Sequence, residues 1–150
     1  MAEEVYPGPL HLEVTRRGRF RYFFYDKHHT PNNTADAQWS ESLTQAEEFA
    51  IFDQADFEQI RVANGDLFGI WKTSTGEIRA LGTEQQEIAK FPVTKSLRAW
   101  HGYPLWPLSS SGANERNRLP IPKAALRLME ARGWISEVQR RKLEKGKYIS

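Results

Sequence analysis

Apolar positions change their period several times along the chain, and each change predicts a different element. Leu10, Leu12 and Val14 alternate with His11, Glu13 and Thr15; after Arg16-Arg17-Gly18 the alternation resumes with Phe20, Tyr22 and Phe24. Period two on both sides of a glycine-containing turn predicts a β-hairpin, with these aromatic rings inward. Phe23 and Tyr25 fall on the opposite face, so something is expected to cover part of that face as well. Residues 26–41 are polar and turn-rich and predict a long loop, pinned near its end by Trp39.

The period then lengthens. Ser42 with Gln45, or Thr44 with Glu47, has the capping-box spacing, in which a hydroxyl accepts from backbone N–H groups and the later side chain reaches back. Leu43, Ala46, Phe49 and Ala50 or Phe52 follow at helical spacing, predicting a short amphipathic helix. From Phe57 alternation returns through Ile60 and Val62 to Asn64-Gly65, a dipeptide in which both residues tolerate positive φ and close a tight hairpin. Leu67 to Thr73, a turn at Ser74-Thr75-Gly76, and Glu77 to Leu81 complete a predicted β-meander. Thr83 opens a predicted short helix that Pro92 ends.

Ala99 to Leu108 breaks every period. It holds Trp100, Tyr103, Trp106, His101 and two prolines, too much proline for a helix or a central strand. Ser109 to Asn114 has linker composition. Beyond it, Pro122 suits a first helical turn, Ala124 to Arg132 reads as helix, and Gly133 is a stop. Ser136 caps a second helix through Lys145, ended by Gly146, and Leu128, Met129, Trp134, Ile135, Val138 and Leu143 supply the contact between the two. The expected fold is α+β: a mainly antiparallel sheet of about five strands with one or two covering helices. The expected organisation is a core over residues 1–108, a linker over 109–118 and a basic helical hairpin over 119–150.

Composition sharpens this. With 39% hydrophobic residues, five Trp, five Tyr and eight Phe in 150 positions, the chain is globular, not disordered. No apolar run approaches the roughly 20 residues of a membrane helix, and the first residues lack the basic start and apolar stretch of a secretory signal. The absence of cysteine removes disulfides, thiolate nucleophiles and cysteine zinc sites together, and fits a reducing, cytoplasmic interior. The formal charge of +2 conceals a polarity: residues 116–150 carry ten Lys or Arg against three Glu, while the preceding part is net acidic. A molecule polarised in this way steers partners by its field.

Candidate chemistry is sparse. His28, His29, Asp26 and His101 are the residues from which a metal or acid–base site would be assembled, but adjacent histidines point to opposite sides of an extended chain, and no metal-binding helix motif accompanies them. Asp66 with Glu77 and Arg79 brackets a hairpin in the manner of small metal nucleases. Arginine stands where such sites need a lysine, and Asp66 follows the Asn64-Gly65 turn, where acids are ordinary. No glycine-rich phosphate loop or nucleophile elbow is present, and no cofactor or metal is expected.

The favoured expectation is a non-enzymatic interaction protein of antitoxin, immunity, inhibitor or adaptor type. It would bind a protein partner through Trp100, His101, Tyr103 and Trp106, with Arg127, Arg140 and Arg141 as a charged rim. One alternative is a nucleic-acid-associated enzyme with His101 as general base beside Glu13 or Asp26. Another is a DNA or RNA binder acting through residues 116–150.

Overall fold

The computed structural model describes residues 12–24, 28–29, 37–94, 99–105, 121–147 and 149. Along these residues the elements are β1 (Leu12–Val14), β2 (Arg21–Phe23), α1 (Gln45–Glu58), β3 (Leu67–Gly69), β4 (Ala89–Phe91), β5 (Tyr103–Pro104), α2 (Lys123–Ala131) and α3 (Glu137–Glu144). The class is α+β. The strands do not form one sheet: β1 and β2 make an antiparallel pair, and β3, β4 and β5 make a separate antiparallel sheet in that order.

The first hairpin forms as its alternation predicts, with a register that decides which residues go inward. Glu13 lies opposite Tyr22 and Val14 opposite Arg21. Opposed residues share a face, so Val14 stays exposed with Arg21 while Tyr22, Phe24 and Thr15 are buried. Phe23, on the other face, is buried too.

Helix α1 begins at the second of the two candidate caps. Thr44 accepts from the Glu47 amide at 3.1 Å, and the Glu47 carboxylate returns to the Thr44 amide at 2.9 Å. The helix runs beyond the predicted apolar stripe to Glu58, because its buried face alternates apolar residues with acids: Glu48, Ile51, Phe52, Asp53, Ala55 and Asp56. It stops at Gln59, which takes a left-handed φ of 57° without being glycine.

Two expectations are corrected downstream. Of the meander over residues 57–81, Leu67–Gly69 forms strand β3, whereas the flanking segments pair with the middle one through the isolated bridges Arg61 to Leu67 and Lys72 to Ile78 and a few backbone hydrogen bonds. The helix predicted after Thr83 is absent, and its C-terminal part is β4 instead. Gln85 takes a φ of 65°, and the Gln86 side chain accepts from the Glu84 amide, a local bond that competes with helical pairing. From Ile88 the chain enters the sheet.

The three-stranded sheet lies between two apolar clusters. Leu67, Ala89 and Phe91 join Tyr22, Phe24, Trp39, Ile51, Phe52 and Trp100 on the α1 side. Phe68, Ile70, Ile88, Tyr103 and Leu105 join Leu126, Met129, Trp134, Ile135 and Leu143 on the side of α2 and α3. The helices of the basic tail therefore share a core with the body. Helix α2 starts after Pro122, and Gly133 follows it with φ +76°; α3 is capped by Ser136 and followed by Gly146 with φ +74°. Met129, Trp134, Ile135 and Leu143 are buried as expected, whereas Val138 is 66% exposed. Among the described residues no helix is long and apolar enough to cross a membrane.

Candidate functional site

The stretch expected to be a recognition loop is a seam inside the fold. The Trp100 amide donates to the Arg21 carbonyl at 2.7 Å, and the Phe23 amide donates to the Trp100 carbonyl at 2.9 Å, tying this residue to β2. Three residues later Tyr103 and Pro104 pair with β4 as an edge strand, the one place in a sheet where proline costs no ladder bond. Between them the Gly102 carbonyl accepts from the Trp39 indole N–H at 3.0 Å. A Cβ at Gly102 would lie 2.2 Å from the Phe91 ring, so only glycine passes there.

As a result Trp100 is 3% and Tyr103 8% exposed. The expectation that both present their rings to a partner is corrected: each ring gains more by joining the core than by facing water. Trp106, Asp26 and the linker over residues 109–118 lie outside the described residues, as do Arg116 and Arg118.

Behind the seam lies a cluster of imidazoles and aromatic rings. His28 stacks on Tyr103 with centroids 5.0 Å apart and lies near-parallel to His101 at 6.1 Å; its Nδ1 is 2.8 Å from the Ala37 carbonyl. His101 is half-buried and packs against Phe23. Of the two acids expected beside His101, Glu13 sits in β1 opposite Tyr22.

The described carboxylate–imidazole pair is a different one. Glu48, projecting inward from α1, has Oε1 2.9 Å from His29 Nε2, and its Oε2 accepts from the Tyr22 hydroxyl. Glu48 is 1% and Tyr22 0% exposed, while the His29 side chain is 30% exposed. Burial pushes the Glu48 carboxyl above its ordinary range despite the lowering effect of His29 and Tyr22. Burial first, and Glu48 second, push the Tyr22 hydroxyl well above its own.

The nuclease-like residues are occupied structurally. Asp66 accepts from the Val93 amide at 2.8 Å and from the Asn64 side chain at 3.1 Å, with Lys90 at 3.6 Å. Arg79 pairs with Glu47 and donates to the Ser42 carbonyl, and Glu77 is exposed in its turn. Among the described residues no group of three or more His, Asp or Glu is arranged to hold a metal ion.

The basic tail is equally engaged. Arg140 pairs with Glu130 and with Glu144, Arg141 with Glu137 at 2.6 Å, and Arg132 reaches Glu58 at 3.6 Å. Arg127 is exposed on α2. A positive count in the sequence thus becomes, over much of α3, a set of local ion pairs.

The open feature lies at the continuation of β3. Gly69 lets α1 approach the strand closely, since a Cβ there would stand 2.7 Å from the Ile51 side chain. Just beyond it a cleft of about 380 Å³ opens, lined by Ala50, Ile51 and Gln54 of α1, by Ile70, Trp71 and Lys72, and by Trp134. That volume falls within the roughly 300–1,000 Å³ typical of ligand sites. Trp71 is partly buried and Trp134 8% exposed, so the two indoles serve as walls. Of the polar lining residues, Lys72 donates to the Gly133 carbonyl at 3.3 Å, and Gln54 accepts from the Arg16 guanidinium at 2.9 Å.

Reasoning from periodicity missed both Glu48 and this cleft. An acid three and four residues before Ile51 and Phe52, hence on their helical face, was the available sign of the first. The cleft has no local sign, because it is assembled from segments far apart in the chain. Compared with known proteins, the chain matches no family model, no curated protein and no solved structure.

Proposed function

We propose that this chain is a non-enzymatic binding protein whose partner is another protein, seated over the cleft between α1 and the Trp71 and Trp134 indoles. The observation that carries the reading is the cleft itself: the partly exposed Trp71 indole, with the edge of the largely buried Trp134 and aliphatic residues beside it, in a fold that buries its other aromatic seam. Aromatic-lined concavities are where interface energy concentrates, because an inserted side chain is desolvated at little entropic cost. The antitoxin, immunity or inhibitor roles raised by the sequence are particular forms of this reading. Arg132, Arg140 and Arg141 are paired with neighbouring acids and so offer less to a nucleic-acid surface than their count in the sequence suggests.

The test is site-specific photocrosslinking in the host cell, with the crosslinker at Gln54 on the cleft or at Val138 on α3. The reading requires a protein adduct from position 54 that is lost in Trp71→Ala, and direct binding of that protein once purified. Adducts from position 138 alone, or none from position 54, overturn it.

A second reading is supported by the Tyr22–Glu48–His29 chain, in which a buried carboxylate orients a partly exposed imidazole as acid–base catalysis requires. In that case His29→Ala abolishes turnover of a substrate while leaving cleft binding intact, which reverses the order expected of a binder.

A further inference from the structure

The lining of the cleft says more than that something binds there. Its lining combines the Trp71 and Trp134 indoles, the aliphatic Ala50, Ile51 and Ile70, and one cation, Lys72. Arg16 is paired with Asp53 and Arg132 with Glu58. Lys72 is placed differently. Its ammonium carries three N–H donors, one is given to the Gly133 carbonyl, and among the described residues no carboxylate pairs with it. Gln54 is partly committed: its oxygen accepts from Arg16, and one of its two N–H groups donates to Glu58 at 3.2 Å. The charged group that the lining offers an incoming ligand is therefore a positive one, the Lys72 ammonium.

Resting on the binding reading above, we infer that the cleft takes a chain-terminal aromatic residue of the partner, its ring and its terminal carboxylate together. The ring lies between Trp71 and Trp134, where edge or offset contacts with indole are favourable, and the carboxylate pairs with Lys72. A cationic partner segment is disfavoured by the same lysine.

The probes are N-acetylphenylalanine, which has ring and carboxylate, and N-acetylphenylalaninamide, which keeps the ring and lacks the charge. Binding is read from the indole N–H signals of Trp71 and Trp134 in ¹H–¹⁵N spectra, assigned with Trp71→Phe and Trp134→Phe. Both signals should move on titration with the acid at millimolar concentration, and the amide should bind about two- to fivefold more weakly, the scale of a solvent-exposed ion pair. Lys72→Met should bring the acid down to the amide and leave the amide unchanged. Equal binding of acid and amide to the wild type, or equal weakening of both by Lys72→Met, overturns the carboxylate preference. If neither compound moves the indole signals, the aromatic occupant is overturned as well. The crosslink from position 54 decides the broader binding reading separately, so the two failures are distinguishable.

Discussion

Glu48→Gln separates the cost of a buried charge from the value of the bonds it makes. Glu48 is 1% exposed, accepts from Tyr22 and meets His29 at 2.9 Å, and burial outweighs both partners, so its pKa in the folded chain is raised from an ordinary 4.5. The folded state therefore holds this proton to higher pH than the unfolded state does. Its contribution to stability is complete below pH 4.5 and is lost as pH rises through the raised value. One such group changes stability by at most about 1.4 kcal/mol per pH unit within that window. Glutamine mimics the protonated carboxyl, keeps an acceptor for Tyr22 and does not titrate. Below pH 4.5 the variant should match the wild type to within about 1 kcal/mol, the net worth of a neutral hydrogen bond. Above it, the stability of the variant relative to the wild type should climb. Urea unfolding from pH 4 to pH 8 gives the difference directly, and the pair His29→Asn and His29→Asn/Glu48→Gln repeats it with the imidazole removed. A difference that is flat, or that falls as pH rises, refutes the reasoning that desolvation dominates at Glu48.

Three further substitutions test the frame that holds the cleft. Thr44→Ala removes one half of the capping box at the start of α1 and should cost about 1 kcal/mol in urea unfolding. Gly102→Ala drives a methyl into the Phe91 ring and should destabilise by roughly 1–3 kcal/mol, read as a lower urea midpoint with unchanged slope. Met129→Ala, at a residue with 0% exposure between α2 and the sheet, should cost about 2–5 kcal/mol, and a tail folding independently of the body would show instead as two separate transitions.

Elements that announce themselves locally were legible. Thr44 and Ser136 cap α1 and α3 through their own neighbours, and Gly133 and Gly146 follow α2 and α3 with positive φ. The Tyr22 and Phe24 face followed from alternation alone. The central sheet was harder, because it is buried on both sides. Leu67 and Gly69 face α1 while Phe68 and Ile70 face α2 and α3, so the strand reads as a continuous apolar run without a polar phase. Helix α1 was blurred by the opposite effect, acids on its buried face and a stop at a non-glycine residue. Near Trp100 the composition correctly marked a special segment, yet rings that anchor a partner and rings that close a core have the same composition. Backbone pairing to β2 and β4 decides between them, and the pairing to β2 joins residues about eighty positions apart.

The most direct test of the account is hydroxyl-radical footprinting of the tryptophans, read by mass spectrometry on the free protein and on its complex with the crosslinked partner. The account predicts that Trp71 is modified well ahead of Trp100 in the free protein and is protected in the complex, while Trp100 and Tyr103 stay slow in both. Rapid modification of Trp100 and Tyr103 in the free protein, with their protection by the partner and none at Trp71, would contradict it.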